Sequence, residues 1–198
     1  VNEKKGRIEI CGNIASGKTS LCKNLSDICF DAIYESFHLH PFLDSFYKDQ
    51  SKFSFETEIT FLLQHYHSIK IANTDGIIVC DFSIVLDKAY ADVTLPSRRR
   101  DLFMNVAEEL EDEIGPPQKI IHLKCPEDVL LRRIKDRNRL FEKEISISYL
   151  SQIAQAIDAR ISVVSQKVEV MTIDSHEINF VKGLDEIPYP QKNFFRQI

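Results

Sequence analysis

No run of apolar residues in this chain is long enough to cross a bilayer, which takes about 20 in a row, and no repeat or low-complexity linker interrupts it. No secretory leader is visible in the given sequence, which begins at Val1 and not at a native methionine; a cytoplasmic protein without a membrane partner is the expectation. A broad basic face is missing too. The net charge is −5 with acidic and basic residues interleaved, which argues against nucleic acid as a partner. The densest basic run, Arg98-Arg99-Arg100, is short enough to be a solvated helix start. The five cysteines are odd in number and contain no Cys-x-x-Cys pair. Cys11, Cys80 and Cys125 lie in or beside apolar stretches, where a thiol acts as a small hydrophobe, as fits a reducing cytosol. His38/His40 and His65/His67 are each two apart. On a helix, as the second pair is read, such rings diverge, so no histidine metal site is expected. An Asn-Lys-x-Asp guanine-reading motif is absent, and the one Asp-x-x-Gly, Asp112 to Gly115, lies in an acidic helix end; both count against a GTP-dependent switch.

What the chain does have is Gly12-Asn13-Ile14-Ala15-Ser16-Gly17-Lys18-Thr19, a complete Gly-x-x-x-x-Gly-Lys-Thr phosphate loop. Its context is that of a strand-to-helix turn. Ile8 to Cys11 reads as a strand, and Leu21, Leu25 and Ile28 recur at helical spacing. Gly12 and Gly17 let the backbone curl so that successive N–H groups point at phosphate oxygens, and the helix opening at Lys18 adds its positive end. Lys18 can then reach the outer phosphates, and the Thr19 hydroxyl can ligate Mg²⁺.

Five apolar segments, 7–11, 32–35, 77–81, 119–124 and 168–173, read as buried parallel strands. Helical patterns separate them: 56–71 through Ile59, Leu62, Leu63, Tyr66 and Ile69; 98–114 through Leu102, Val106 and Leu110; and a long one from Leu150 to Val164. The expected fold is α/β, a doubly wound five-stranded parallel sheet of the P-loop kinase type with helices on both faces and an arginine-rich lid, in one domain spanning 1–198. In such sheets ligands sit beyond the carboxyl ends of the strands. Glu35 ends the second strand and Asp81 the third, while Arg132, Arg133, Arg137 and Arg139 crowd the segment after the fourth. A metal-linked acid, mobile cations and an acceptor-positioning group are what phosphoryl transfer needs.

In this order the motifs resemble those of the deoxyribonucleoside kinase family. Glu35-Ser36-Phe37 stands where the family has Glu-Pro-Val, and Phe46-Tyr47-Lys48-Asp49 with Phe53-Ser54-Phe55 resembles its sugar-binding stretch. Asp81-Phe82-Ser83-Ile84 with Asp87 resembles its Asp/Glu-Arg-Ser motif, and Arg133 to Arg139 with Phe141-Glu142 its lid. The resemblance implies an ATP-dependent kinase for the 5′-hydroxyl of a deoxynucleoside, working in nucleotide salvage as a homodimer with Mg²⁺. Glu35 would be the general base, Tyr47 and Glu142 would hold the 3′-hydroxyl, and Asp87 would lie near the base. Thr19 and Asp81 would organise the metal, and Lys18, Arg133, Arg137 and Arg139 would serve the transferring phosphate.

Two positions depart from the family. Phe82 replaces an arginine that helps hold the 5′ end, so either a lid arginine or one of Arg98–Arg100 substitutes or the activity departs from the family norm. Glu58 replaces a base-reading glutamine. Ionised, it can only accept, which favours the two adjacent donors of guanine and makes deoxyguanosine the expected substrate. The rival readings are a nucleoside monophosphate kinase, whose acceptor phosphate Glu35 would repel, and a P-loop regulatory protein with weak or no kinase activity.

Overall fold

Arg7–Gly12 forms β1, buried along its whole length, and it owes that burial to cover on both faces. Ile8 and Ile10 point one way, into a cluster with Leu21, Leu25, Val79, Ile121 and Leu123. Cys11 points the other way and packs with Val85, Ala89, Ile120, Ile153 and Ile157. The period-2 alternation of a strand thus reads as an unbroken apolar run, as expected for a parallel sheet sandwiched by helices. Each fully buried Ile or Leu in these clusters contributes about 1.5–3 kcal/mol. The protein is described here from a computed structural model covering residues 6–27, 31–72 and 76–180, without the side chain of Leu140. Ile28 lies outside the described residues.

The remaining strands are β2 (Asp31–Ile33), β3 (Ile78–Cys80), β4 (Lys119–Lys124) and β5 (Glu169–Asp174), paired in parallel in the order β2-β3-β1-β4-β5. All five expected strands are present. The second and third are shorter than their apolar runs because the ladder between them is cut off by a side chain. The Asp81 N–H donates to Ile33 O at 3.1 Å, but the Glu35 N–H turns aside to Asp81 Oδ1 at 2.5 Å. That bond ends β2 and fixes Glu35 just beyond it.

The helices are α1 (Lys18–Ser26), α2 (Leu43–Lys48), α3 (Gln50–Ile71), α4 (Ile84–Thr94), α5 (Ser97–Ile114), α6 (Glu127–Arg137) and α7 (Ile147–Val164). α3 begins six residues before its apolar pattern does, because Asp49 caps it by accepting from the Lys52 N–H at 3.2 Å. Its buried face also differs from the expected stripe. Leu63 is 46% exposed, whereas Ser54, Thr57, Glu58 and His65 are buried. α5 is likewise rotated, with Leu102 exposed and Phe103 and Ala107 buried. α4 packs on α3, α5 and α7 at once, and this all-round cover gave it no single apolar stripe to read. Among the described residues no helix is long and apolar enough to cross a membrane.

Candidate active site

The phosphate loop leaves β1 at Gly12, where any Cβ would meet Ser16 Oγ at 2.7 Å and the Leu123 carbonyl at 2.9 Å. The curl then needs positive φ at Ala15 (61°) and Gly17 (103°); at Gly17 a Cβ would also approach the Phe180 ring to 3.0 Å. Asn13 pins the loop from inside. Its Nδ2 donates to Leu150 O at 2.8 Å while its Oδ1 accepts from the Ile14 N–H at 2.8 Å. Lys18 folds back so that Nζ donates to the carbonyls of Gly12 (2.9 Å) and Asn13 (3.1 Å). Burial draws its pKa down, and the carboxylates of Glu35 and Asp81 oppose that fall.

One cavity of about 920 Å³ joins this loop to the ends of β2 and β3. Asp81 stands between, its carboxyl raised by burial and steadied by the Glu35 N–H and the Thr19 hydroxyl. Glu35 opens into the cavity with 31% of its side chain exposed. Burial pushes its carboxyl up, but His65 and Lys18 outweigh that, and it stays below the ordinary glutamate range. Glu35 is therefore ionised at neutral pH. Deeper in, Glu58 and Asp87 line the same cavity, 4% and 5% exposed. Burial pushes Glu58 up to about 8, with the Thr94 hydroxyl working against the rise and Asp87 adding to it.

The arginine segment faces the loop across the cavity. Arg133 donates to Ala15 O at 3.3 Å and to Ser175 O at 2.9 Å. Arg137 forks onto Glu142 through Nε (2.7 Å) and Nη2 (2.5 Å), and Arg139 lies 3.5 Å from the same carboxylate, its guanidinium over the Phe37 ring. Tyr47 stacks against Phe141 beside Glu142. Glu142 is thus ion-paired with two arginines.

Of the residues singled out in the sequence, Lys18, Thr19, Glu35, Tyr47, Glu58, Asp81, Asp87 and Glu142 all line this cavity, as do Arg133, Arg137 and Arg139. Ile14 to Gly17 line it as well, while Gly12 and Asn13 support the loop from behind. Arg132 and Arg98–Arg100 do not line it; Arg99 instead lies over Phe55. Of the two sources expected to replace the arginine lost at Phe82, the lid arginines line the cavity and Arg98–Arg100 do not. Spacing alone says of His65 only that its ring diverges from that of His67. The divergence holds, since His65 is buried and His67 exposed, but it turns His65 inward to Glu35 and Asp87. The overlooked signal was its distance from Glu58: seven residues is two turns, hence the same face. The segment 176–180 after β5, which also lines the cavity, carried no motif. No cluster of three His, Cys, Asp or Glu side chains fit to hold a metal occurs among the described residues.

A phosphate loop at the switch point of a parallel sheet, an arginine segment across from it and an acid-lined chamber beyond define a P-loop phosphotransferase. The chain belongs to the deoxynucleoside kinase family, whose profile matches residues 8–193, and is an enzyme that phosphorylates deoxynucleosides. It is 30% identical to the deoxyguanosine kinase of Bacillus subtilis (strain 168), over 88% of each chain. It is 28% identical to the deoxyadenosine kinase of Dictyostelium discoideum, over 96% of this chain and 82% of that one. The fold matches a solved structure of deoxyadenosine kinase from M. mycoides with bound dCTP at a TM-score of 0.80 and 16% identity, covering 97% of this chain and all of the other.

Proposed function

We propose that the chain acts as a single-domain kinase transferring the γ-phosphoryl group of ATP to the 5′-hydroxyl of a purine deoxynucleoside. The observation that carries this is the ionised Glu35 carboxylate facing Lys18 and the phosphate loop across Asp81 in one cavity. Glu35 accepts the proton of the 5′-hydroxyl as its oxygen attacks; Lys18, the loop N–H groups, Arg133 and Arg137 stabilise the charge on the moving phosphoryl group. Tyr47 and Glu142 hold the 3′-hydroxyl. Thr19 and Asp81 fit Mg²⁺, which asks for few protein ligands and completes its shell with phosphates and water; when bound it would neutralise charge on the outer phosphates. The ionised carboxylate of Glu35 favours a neutral acceptor over a nucleoside monophosphate. A panel of nucleosides and nucleotides with Mg-ATP tests the reading. Deoxynucleosides should be the productive acceptors, and turnover of monophosphates alone would overturn it.

Base preference hinges on the proton of Glu58. Thr94 Oγ1 lies 2.9 Å from both the Tyr90 carbonyl and Glu58 Oε1, yet a hydroxyl has one hydrogen. A proton on Glu58 satisfies both contacts. Protonated, the carboxyl offers a donor and an acceptor as glutamine does, which suits adenine or cytosine; ionised, it suits guanine. The groups facing it are Asp87 and the phenols of Tyr47, Tyr90 and Tyr149, all three phenols raised by burial and neutral in this range. Below about 8 the acid form dominates and guanine binding must expel its proton. The ratio of kcat/KM for deoxyguanosine over deoxyadenosine should therefore rise about tenfold per pH unit between pH 6.5 and 8.5. Glu58→Gln should flatten that slope and leave deoxyadenosine ahead. A wild-type ratio independent of pH would remove Glu58 from base reading.

The family resemblance also implies a homodimer. Leu63 on α3 and Leu102 on α5 are exposed apolar side chains on helices packed against each other, and a second copy would cover them. Light scattering should give twice the chain mass, and Leu63→Glu should halve it; a wild-type monomer would refute the assignment.

A further inference from the structure

His65 stands in the middle of α3, 4% exposed, with its ring flat on Phe82 at a centroid distance of 4.0 Å and an interplanar angle of 5°. Nδ1 is 2.8 Å and 3.1 Å from the two oxygens of Asp87. Nε2 is 3.4 Å from Glu35 Oε1, and among the described residues this buried nitrogen makes no hydrogen bond of full geometry. Leaving such a group unpaired is costly in a protein interior, and here a modest turn of Glu35 would pair it. An imidazole facing a carboxylate at each nitrogen is placed to donate from both, which only the protonated ring can do. Phe82 supplies the flat seat that keeps the ring in this plane. An arginine at that position would compete for Glu35; the phenylalanine leaves the carboxylate to His65.

We propose that His65, anchored by Asp87 and seated on Phe82, is the positioning residue that holds the Glu35 carboxylate at the acceptor hydroxyl. The inference rests on the reading of Glu35 as general base. It makes Asp87, at its first contact, a partner of His65 rather than of the base. The charge arrangement agrees: burial disfavours the imidazolium, but Asp87 and then Glu35 outweigh it and raise the pKa to about 10.

Two amide substitutions separate the two ring nitrogens. Asn at 65 places an N–H where Nδ1 was, so Asp87 keeps its donor while Glu35 loses Nε2. Gln at 65 places an N–H where Nε2 was and gives up the Asp87 contact. His65→Asn should lower kcat about 10- to 100-fold, the scale of a misplaced reacting group, with Kd for ATP and deoxynucleoside within about threefold of wild type. His65→Gln should retain more of kcat than His65→Asn. In a Glu35→Gln background His65→Asn should cause no further loss, because a positioning residue has nothing left to position. ATP binding reports folding for every variant, and His65→Gln carries the test if His65→Asn fails to bind ATP. Wild-type turnover in Glu35→Gln would sink the general-base reading itself. With that reading intact, three outcomes overturn the present one: His65→Asn within threefold of wild type, His65→Gln slower than His65→Asn, or losses that multiply in the double variant.

Discussion

Lys18→Ala is expected to lower kcat on the order of 10³-fold while deoxynucleoside Kd stays within about threefold, the scale of losing a preorganised charge from a transfer site. The asymmetry follows from where the side chain lies. Nζ is lashed to the carbonyls of Gly12 and Asn13 and so travels with the loop. The loop does not depend on Lys18 for its shape: the Asn13 side chain ties it to Leu150, and Arg133 holds the carbonyl of Ala15. Truncation therefore removes charge and leaves the cradle. Single-turnover kinetics with calorimetric Kd for both substrates measure the two effects separately. A deoxynucleoside Kd that rises as steeply as kcat falls would mean that Lys18 serves the acceptor as well.

Glu35→Gln should cost about 10²–10⁴-fold in kcat, the span for loss of a general base, with little change in deoxynucleoside Kd. The substitution spares the structure because the bond fixing this position, from its own N–H to Asp81, is made by the backbone. A carboxylate held below the ordinary glutamate range is a weak base. That suffices where the transition state is loose and the hydroxyl proton leaves late. Electrostatics and placement then carry more of the barrier than basicity does. Turnover at the wild-type rate would show that water or a phosphate oxygen takes the proton instead.

The sheet and the phosphate loop were legible because their physics is local. Glycine spacing, an apolar run and a helical stripe each occupy a few consecutive residues. α4 was not legible, since a helix buried against three others has no polar face to set its phase. Leu63 and Leu102 misled for the related reason that α3 and α5 turn part of their inner faces to a cavity or to small residues such as Ala107. Glu35 and Asp81 could be read as strand-end acids, but the bond between them could not. His65 is the clearest gap. Its role depends on Asp87, Phe82 and Glu35 meeting in space, and in sequence only its distance from Glu58 hinted at it. The charge state of Glu58 was out of reach too, because burial and the shared Thr94 hydroxyl set it rather than any neighbour in the chain.

Behind the cavity, Arg7 and Glu9 form a buried pair at 2.8 Å, 4% and 1% exposed. Arg7 also donates to the Gly115 carbonyl at 2.8 Å, and Glu9 Oε2 accepts the N–H of Ile84, the residue that opens α4. Glu9→Ala would strand a guanidinium in the interior, at about 3–5 kcal/mol out of a total stability of about 5–15 kcal/mol. The same lesion would loosen the first turn of α4, which carries Asp87. In a library of random variants scored by growth alone, position 9 would thus mimic a catalytic position, although it touches no substrate. Scoring soluble abundance beside specific activity tells the two apart: Glu9 variants should vanish from the lysate, whereas Glu35 variants should accumulate as folded, silent protein.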